Sequence, residues 1–354
     1  MTDPFMKRIE EECKRRLFWC SYNLDKYLGA MLGRPCVFHD EDIDQDYPSM
    51  TVYNPDLGVC LPTEEPNRRI LIAPVLHFKL VRIVSRALRE MYSVRPPTQK
   101  RSALIRRQLN DSLKAWRKEL PAFLDPDQVD ARLLVPNFQR QSNMLSLAYS
   151  HAVILVNRGS LMNKLRKSDV SSDTAGDEED SNMKACLSAA MSILNDVDQI
   201  RRGGKILPAW WFTQYQAFCA VVIIYTYTVH AASSMVQETQ TRHFQAAERC
   251  QAHIEAIAQD GTLAQRYFIV MEEFRLEAVD HMSRSKAKTD GAIAGPLGSG
   301  TPSTNLFTDE ELIRVMNGFI DPGVSLGAMG LDEWPDLDGM DIGINDDMNE
   351  AVRF

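Results

Sequence analysis

The sequence predicts an all-α protein, an irregular multi-helix domain followed by a disordered acidic tail. Three observations predict it. Apolar residues recur at three- and four-residue spacing, the period of an α-helix. Strong helix formers dominate, and strand-like alternation is scarce. Prolines and glycines fall mostly between the periodic stretches. With 354 residues and 44% hydrophobic content, the chain can bury one large core or two modest ones.

The first helix runs through Leu32. Leu17, Ser21, Leu24, Leu28 and Met31 share one face, and Phe18 and Tyr22 form an adjoining pair. Trp19 and Leu24 are expected in the core. Glu11 precedes Arg15, and Glu12 precedes Arg16, by one turn, which supports the exposed side. Gly33 can take the left-handed conformation past a helix end, and Pro35 cannot continue the helix. A Pro- and Asp-rich connection leads to Pro66. Residues 70–92 resume helical spacing, with Val75, Phe78, Val81 or Arg82, and Val84 or Ser85 in the stripe, and Pro96-Pro97 ends it. Residues 101–120 form the next helix, stopped by Pro121. Residues 138–167 form a longer apolar helix or a pair.

Residues 168–181 are polar and acidic, which predicts a mobile loop. Residues 182–202 are amphipathic and end at Gly203-Gly204. The most apolar segment is 208–232, nearly continuous from Ala217 to Val229. Gln214, Gln216, Thr226, Thr228 and His230 interrupt or flank it, so a central core helix fits better than a membrane span. Trp210, Trp211, Phe212, Tyr215, Phe218, Tyr225 and Tyr227 crowd this segment, as core aromatics or as the lining of an apolar pocket. Two more helices, 240–259 and 263–282, flank Asp260-Gly261. The helical domain therefore spans 1–283.

Gly, Ser, Pro and Thr then dominate, so 284–305 reads as a flexible linker. The rest, 306–354, is an acidic-hydrophobic tail in two parts. Thr308 to Glu311 is a capping box, followed by apolar Leu312, Ile313 and Met316. From Leu331 to Ile342, acids interleave with Trp334, Leu337 and Met340. Such interleaving is the composition of a disordered activation segment.

Charge divides the chain. From Gly291 onward there are twelve acidic residues against Arg314 and Arg353, a net of −10, while the remainder carries 38 basic and 36 acidic residues, a net of +2. A near-neutral body provides no electrostatic footprint for nucleic acid. The seven cysteines stand singly, with no Cys-x-x-Cys, which argues for free thiols and against a zinc site. Residues 1–16 are charged without an apolar run, the pattern of a chain with no secretory signal.

One stretch is more specific than composition. Arg15, Arg16, Phe18, Trp19, Tyr22, Leu24, Asp25 and Lys26 precede Leu32, Gly33, Arg34 and Pro35, and then come Asp40, Asp42, Asp44 and Pro48. This order resembles the signature of the regulatory domain in fungal zinc-binuclear-cluster transcription factors. The close match covers about 15–48. It implies an all-α regulatory domain over 1–283, an activation tail over 306–354 and a nuclear location. It also implies contact between Arg15 and Arg16 and the acidic loop 40–46, where composition alone also allows a solvated first turn. The family's DNA reader, six N-terminal cysteines holding two zinc ions, has no counterpart here, nor has its coiled dimerisation linker. The resemblance thus places these residues as the C-terminal part of such a factor, with zinc and DNA contact expected only of that separate cluster.

No catalytic or metal constellation competes. Asp40, Asp42 and Asp44 alternate as in a calcium loop, but Gln45 and Thr51 occupy the positions that need Gly and Glu. No two histidines stand three or four residues apart, and phosphate-loop, dinucleotide and nucleophile-elbow motifs are lacking. The expected function is transcriptional regulation without catalysis and with no cofactor in this chain. Coactivators are the expected partners, through Leu312, Ile313, Met316, Trp334, Leu337 and Met340; no membrane contact is expected. The resemblance also admits a small-molecule effector and a homodimer. A stand-alone helical ligand-binding or scaffold module is the competing class, and an all-α enzyme comes third.

Overall fold

The computed structural model describes residues 4–49, 52–54, 59–61, 71–93, 95, 97–166, 176–203, 211–230, 237–259 and 262–291. The tail with its six proposed anchors lies outside these residues, as does 168–175 of the predicted acidic loop. Among the described residues eight α-helices follow in chain order: α1 (Pro4–Leu32), α2 (Ile72–Met91), α3 (Gln99–Lys118), α4 (Pro136–Arg166), α5 (Gly176–Arg202), α6 (Trp211–His230), α7 (Gln237–Glu255) and α8 (Leu263–Gly291). The connection after α1 also contains a small antiparallel pair, β1 (Val52–Asn54) and β2 (Val59–Leu61), with Tyr53 opposite Cys60. The all-α reading holds, with this hairpin as its one exception among the described residues.

Three buried clusters join the helices. The largest packs α4, α5, α6, α7 and α8. The second packs α2, α3 and the opposite side of α4. The third is aromatic and sets Trp19, Tyr22 and Tyr27 of α1 against Phe78 and Val81 of α2. Helix α4 is thus shared. Leu147, Ile154 and Leu161 face the first cluster, while Leu145, Ala148, Ala152 and Leu155 face the second. A helix buried on two sides shows little amphipathic contrast, which explains its long apolar run.

Helix α6 is buried around its whole circumference from Thr213 to Val229. Its polar residues are packed inside. The Thr228 hydroxyl donates to the Ile224 carbonyl at 2.9 Å, and the Tyr225 hydroxyl donates to Gln251 of α7 at 2.7 Å. Gln251 in turn donates to Glu272 of α8 at 2.8 Å, and Arg275 grips both Glu272 oxygens. No described helix is long and apolar enough to cross a membrane.

Two boundaries differ from expectation. Helix α5 begins at Gly176, inside the predicted loop, because Asp177, Glu178 and Glu179 form its first turn and stabilise the positive end of the helix dipole. Helix α8 continues to Gly291, past the predicted linker start, since Arg284, Lys286, Ala287 and Lys288 favour a helix and no glycine intervenes.

Burial also tunes three titrations. It lowers His77 to about 4 and His151 to about 3, and it raises Asp196, which accepts from Ser146 at 2.7 Å, to about 6. The histidines fold below their ordinary value of 6.5, so the stability they contribute is present at neutral pH and is lost as pH falls below about 6.5. Asp196 folds above its ordinary 3.8, so its contribution is present in acid and is lost as pH rises through about 6. Two groups outweigh one. Melting temperature should therefore fall from pH 7 to pH 5. Asp196→Asn should raise it at pH 7.5 and steepen the acid loss, as followed by circular dichroism.

Candidate functional site

The residues of the signature stretch converge on one task, holding the segment 33–49 against α1. Gly33 reverses the chain with φ 64°, and its amide donates to the Gly29 carbonyl at 3.0 Å. The segment then runs back down the helix. The Asp25 carboxylate accepts from the amides of Val37 at 2.7 Å and Phe38 at 3.2 Å. The buried Lys26 ammonium donates to the Phe38 carbonyl and to Asp25, and it lies 4.9 Å from the Tyr22 ring centre. The Trp19 indole donates to the Asp46 carbonyl at 2.8 Å. Glu12 accepts from the Ser49 amide at 3.2 Å. Each step along the segment meets a residue further down the helix. Chain without regular structure must pair its backbone groups elsewhere, and these side chains supply the partners.

Aromatic packing closes the strap from above. Tyr47 stacks on Trp19 with ring centres 4.5 Å apart, and Phe38 meets Phe18 edge-on at 5.4 Å. Phe78 of α2 covers the other side of Trp19 at 5.8 Å. Gly29 leaves room at the turn, because a Cβ there would stand 2.6 Å from the Cys36 sulfur and 3.3 Å from the Arg34 carbonyl oxygen.

Asp40 makes the strap a clamp. It accepts from the Tyr22 hydroxyl of α1 at 2.7 Å and from the Ser85 hydroxyl of α2 at 2.6 Å. Arg82 lies 3.4 Å from it, and Arg89 pairs with neighbouring Glu41. Burial, first of all, raises the Tyr22 phenol well above its ordinary value, so it stays a donor. Below this clamp Tyr27 hydrogen-bonds His77 of α2, and Tyr215 of α6 donates to the Ala30 carbonyl at 3.1 Å. The arrangement is a structural joint between α1, α2 and α6. Among the described residues, no three His, Cys, Asp or Glu side chains could hold a metal ion.

Several expectations need correction. The core-facing side of α1 is Trp19, Tyr22, Lys26 and Ala30, not the leucine stripe. Leu17 is 69% exposed and Leu24 is 49% exposed. Both stripes have helical spacing, but Leu17 and Leu24 each lie two residues from Trp19 and Tyr22, about 200° around the helix. The larger aromatic surface faces the core. Arg15 and Arg16 do not reach the acidic loop; they pair with Glu12 at 3.2 and 2.9 Å, and Arg82 and Arg89 of α2 serve the loop instead. Arg34, Pro35, Asp42 and Asp44 stand exposed, Leu32 is half-buried and Pro48 is buried. Gly29 and Tyr47 carry the joint unannounced, and Asp40 and Glu12, named above in other roles, carry it with them. A glycine inside a helical stretch was the available signal for Gly29.

Residues 3–118 match the fungal specific transcription factor domain, so the strap and the clamp onto α2 lie inside the matched stretch. The chain is 32% identical over 222 residues to an uncharacterised transcriptional regulatory protein of Schizosaccharomyces pombe, covering 61% of this chain and 28% of that protein. It is 29% identical over 157 residues to Activator of stress genes 1 of Saccharomyces cerevisiae, covering 42% of this chain and 16% of that protein. A second uncharacterised transcriptional regulatory protein of S. pombe is 22% identical over 332 residues, 87% of this chain and 40% of that protein. The chain thus spans less than half the length of these relatives. No solved structure matches it.

The joint makes a clear mutational contrast. Trp19→Ala should cost about 3–5 kcal/mol, as large buried aromatics do. Leu24→Ala should stay within about 0.5 kcal/mol, as exposed substitutions do. Urea titrations followed by circular dichroism check both, and equal losses would contradict the orientation of α1.

Proposed function

We propose, for a chain whose residues 3–118 match the fungal specific transcription factor domain, that it regulates transcription in the nucleus and has no catalytic role. The domain match carries the reading. The transcriptional regulators it resembles support it, and so does the clamp built from the signature residues. In this reading the helical body, 1–283, is the regulatory part. The tail, 306–354, recruits coactivators. DNA and zinc contact we assign, with the resemblance, to a separate cluster outside these residues.

The tail reading rests on sequence. Acids interleave with Trp334, Leu337 and Met340, and Leu312, Ile313 and Met316 follow a capping box. Apolar anchors enter a partner's groove, while acids speed the encounter.

A second reading, effector sensing, has its own observation. Gln216 is fully buried with both amide atoms unpartnered among the described residues, and the His151 Nδ1 and the Tyr267 hydroxyl are likewise unpartnered. His151 and Tyr267 flank Tyr215, at ring distances of 5.4 and 6.4 Å. Buried polar groups are nearly always satisfied, and in this reading a small polar effector supplies the partner these groups lack among the described residues.

Residues 306–354 fused to an unrelated DNA-binding domain should activate a reporter. Trp334→Ala with Leu337→Ala should remove most of that output, because aromatic anchors dominate such interfaces. Asp346→Asn with Asp347→Asn should reduce it less. A fusion that is expressed, nuclear and silent overturns the activation role.

A further inference from the structure

Where α3, α4 and α5 meet, three buried side chains present donors that no acceptor takes. Arg106 of α3 is 7% exposed. Its Nε donates to the Val156 carbonyl of α4 at 3.3 Å, and its Nη atoms have no acceptor among the described residues. It forms no ion pair among them either; Glu178 and Glu179 of α5 act on it through space without pairing. Ser160 of α4 is fully buried with its Oγ unpartnered among the described residues. The Val156 carbonyl, the usual acceptor for a serine four residues on, carries Arg106. Asn182 of α5 is 9% exposed; its Oδ1 accepts from Asn110 at 3.3 Å, and its Nδ2 has no acceptor among the described residues. The three are neighbours. In a helix the carbonyl of residue 156 points along the axis at the amide of residue 160, so the Arg106 guanidinium lies beside Ser160. Gly159 clears the space, since a Cβ there would stand 3.3 Å from the Arg106 Nη2. Asn110, one turn after Arg106, donates to Asn157 at 3.0 Å as well as to Asn182, which sets Asn182 about one turn from the guanidinium.

We propose that this junction binds the phosphate group of a small molecule. Charge and donor type select it. Arginine is almost never this buried unless paired, because a buried charge without a counter-charge is costly. A second guanidinium, Arg158 at 6% exposure, lies 4.2 Å from the Tyr92 ring centre and donates to its hydroxyl at 2.8 Å. That hydroxyl donates in turn to the Leu155 carbonyl, next to Val156, so positive charge gathers on one turn of α4. The open positions beside it are a guanidinium edge, a hydroxyl and a primary amide, all able to donate. A phosphate offers more acceptor oxygens than a carboxylate, and its contact with arginine is among the strongest of charge-assisted hydrogen bonds. Binding cancels the buried charge and ties α3 to α4 and α5, so the packing of α3 responds to the ligand. The junction is separate from the interior around Tyr215 on α6, and the inference rests on neither reading of the function.

Inorganic phosphate is the probe, titrated calorimetrically into the full-length chain at constant ionic strength in a chloride buffer. The unmodified chain should bind it saturably at one site. Arg106→Gln should weaken the binding at least about tenfold, and Arg107→Gln, at an exposed position on the next residue, should leave it unchanged. Phosphate at about tenfold excess over its dissociation constant should raise the melting temperature of the unmodified chain by about 2–4 °C and that of Arg106→Gln by less. No saturable binding overturns the proposal, and so does binding that Arg106→Gln leaves within about twofold. Should Arg106→Gln not fold, Ser160→Ala carries the test, because it breaks no hydrogen bond among the described residues. It should weaken phosphate at least about threefold with the melting temperature in chloride unchanged, and unchanged affinity overturns the proposal. Acetate that binds as tightly as phosphate marks a general anion contact and overturns the phosphate assignment.

Discussion

The fold depends on satisfying the backbone of a strap that has almost no regular structure of its own. Residues 33–49 leave α1 and return along it, and the polar ends of Asp25, Lys26, Trp19 and Glu12 take up their amides and carbonyls in turn. A buried backbone group left unpaired costs on the order of 1–3 kcal/mol. Residue type follows from that need. A carboxylate offers one oxygen to each of two adjacent amides, as Asp25 does, and a donor with a large apolar body serves a carbonyl while filling the core, as Trp19 does. Asp40 then transmits the strap's position to α2 through Ser85 and Arg82.

Behind this joint the body is organised by two helices that lack a solvent face. Helix α4 divides two cores, and α6 is buried on all sides. Such helices must bury polar side chains or forgo them. This protein buries them, in the Tyr225–Gln251–Glu272–Arg275 relay and in the bonds from Asn110 to Asn157 at 3.0 Å and to Asn182 at 3.3 Å. Polar networks of this kind fix one register of packing, because a shifted helix strands its amides.

Much of this was legible in the sequence because helix period, proline stops and the glycine after Leu32 are local signals. Trp19 and Gly33 were read from such signals. The side of α1 was misread because two stripes of equal period compete on one helix, and the choice is made by partners far along the chain, Phe78 and Tyr47. Asp40 was hidden among acids of identical type; its distinction is position, opposite Tyr22 and Ser85, which periodicity does not encode. Arg15 and Arg16 were drawn toward the acidic loop by charge alone, whereas Glu12 stands one turn away and captures both. The start of α5 shifted because acidic composition reads as mobile while also favouring a helix N-terminus, and α8 runs on because the helix formers at 284–288 precede the glycines and prolines that mark the linker.

The reach of each contact along the chain sets an order of assembly during synthesis. The strap's anchors join residues 12 to 37 positions apart, so α1 and its strap can close as soon as Ser49 has emerged. The Tyr215 contact with Ala30 spans 185 positions. At ribosomal speeds of about 5–20 residues per second, the C-terminal end of α1 waits roughly 10 to 40 seconds for α6. During that interval Tyr27, Ala30 and Met31 lack their final cover, and the pairing of Tyr27 with His77 forms first. The early joint therefore does more than fasten two helices: it keeps the aromatic surface of α1 occupied until the central helix arrives.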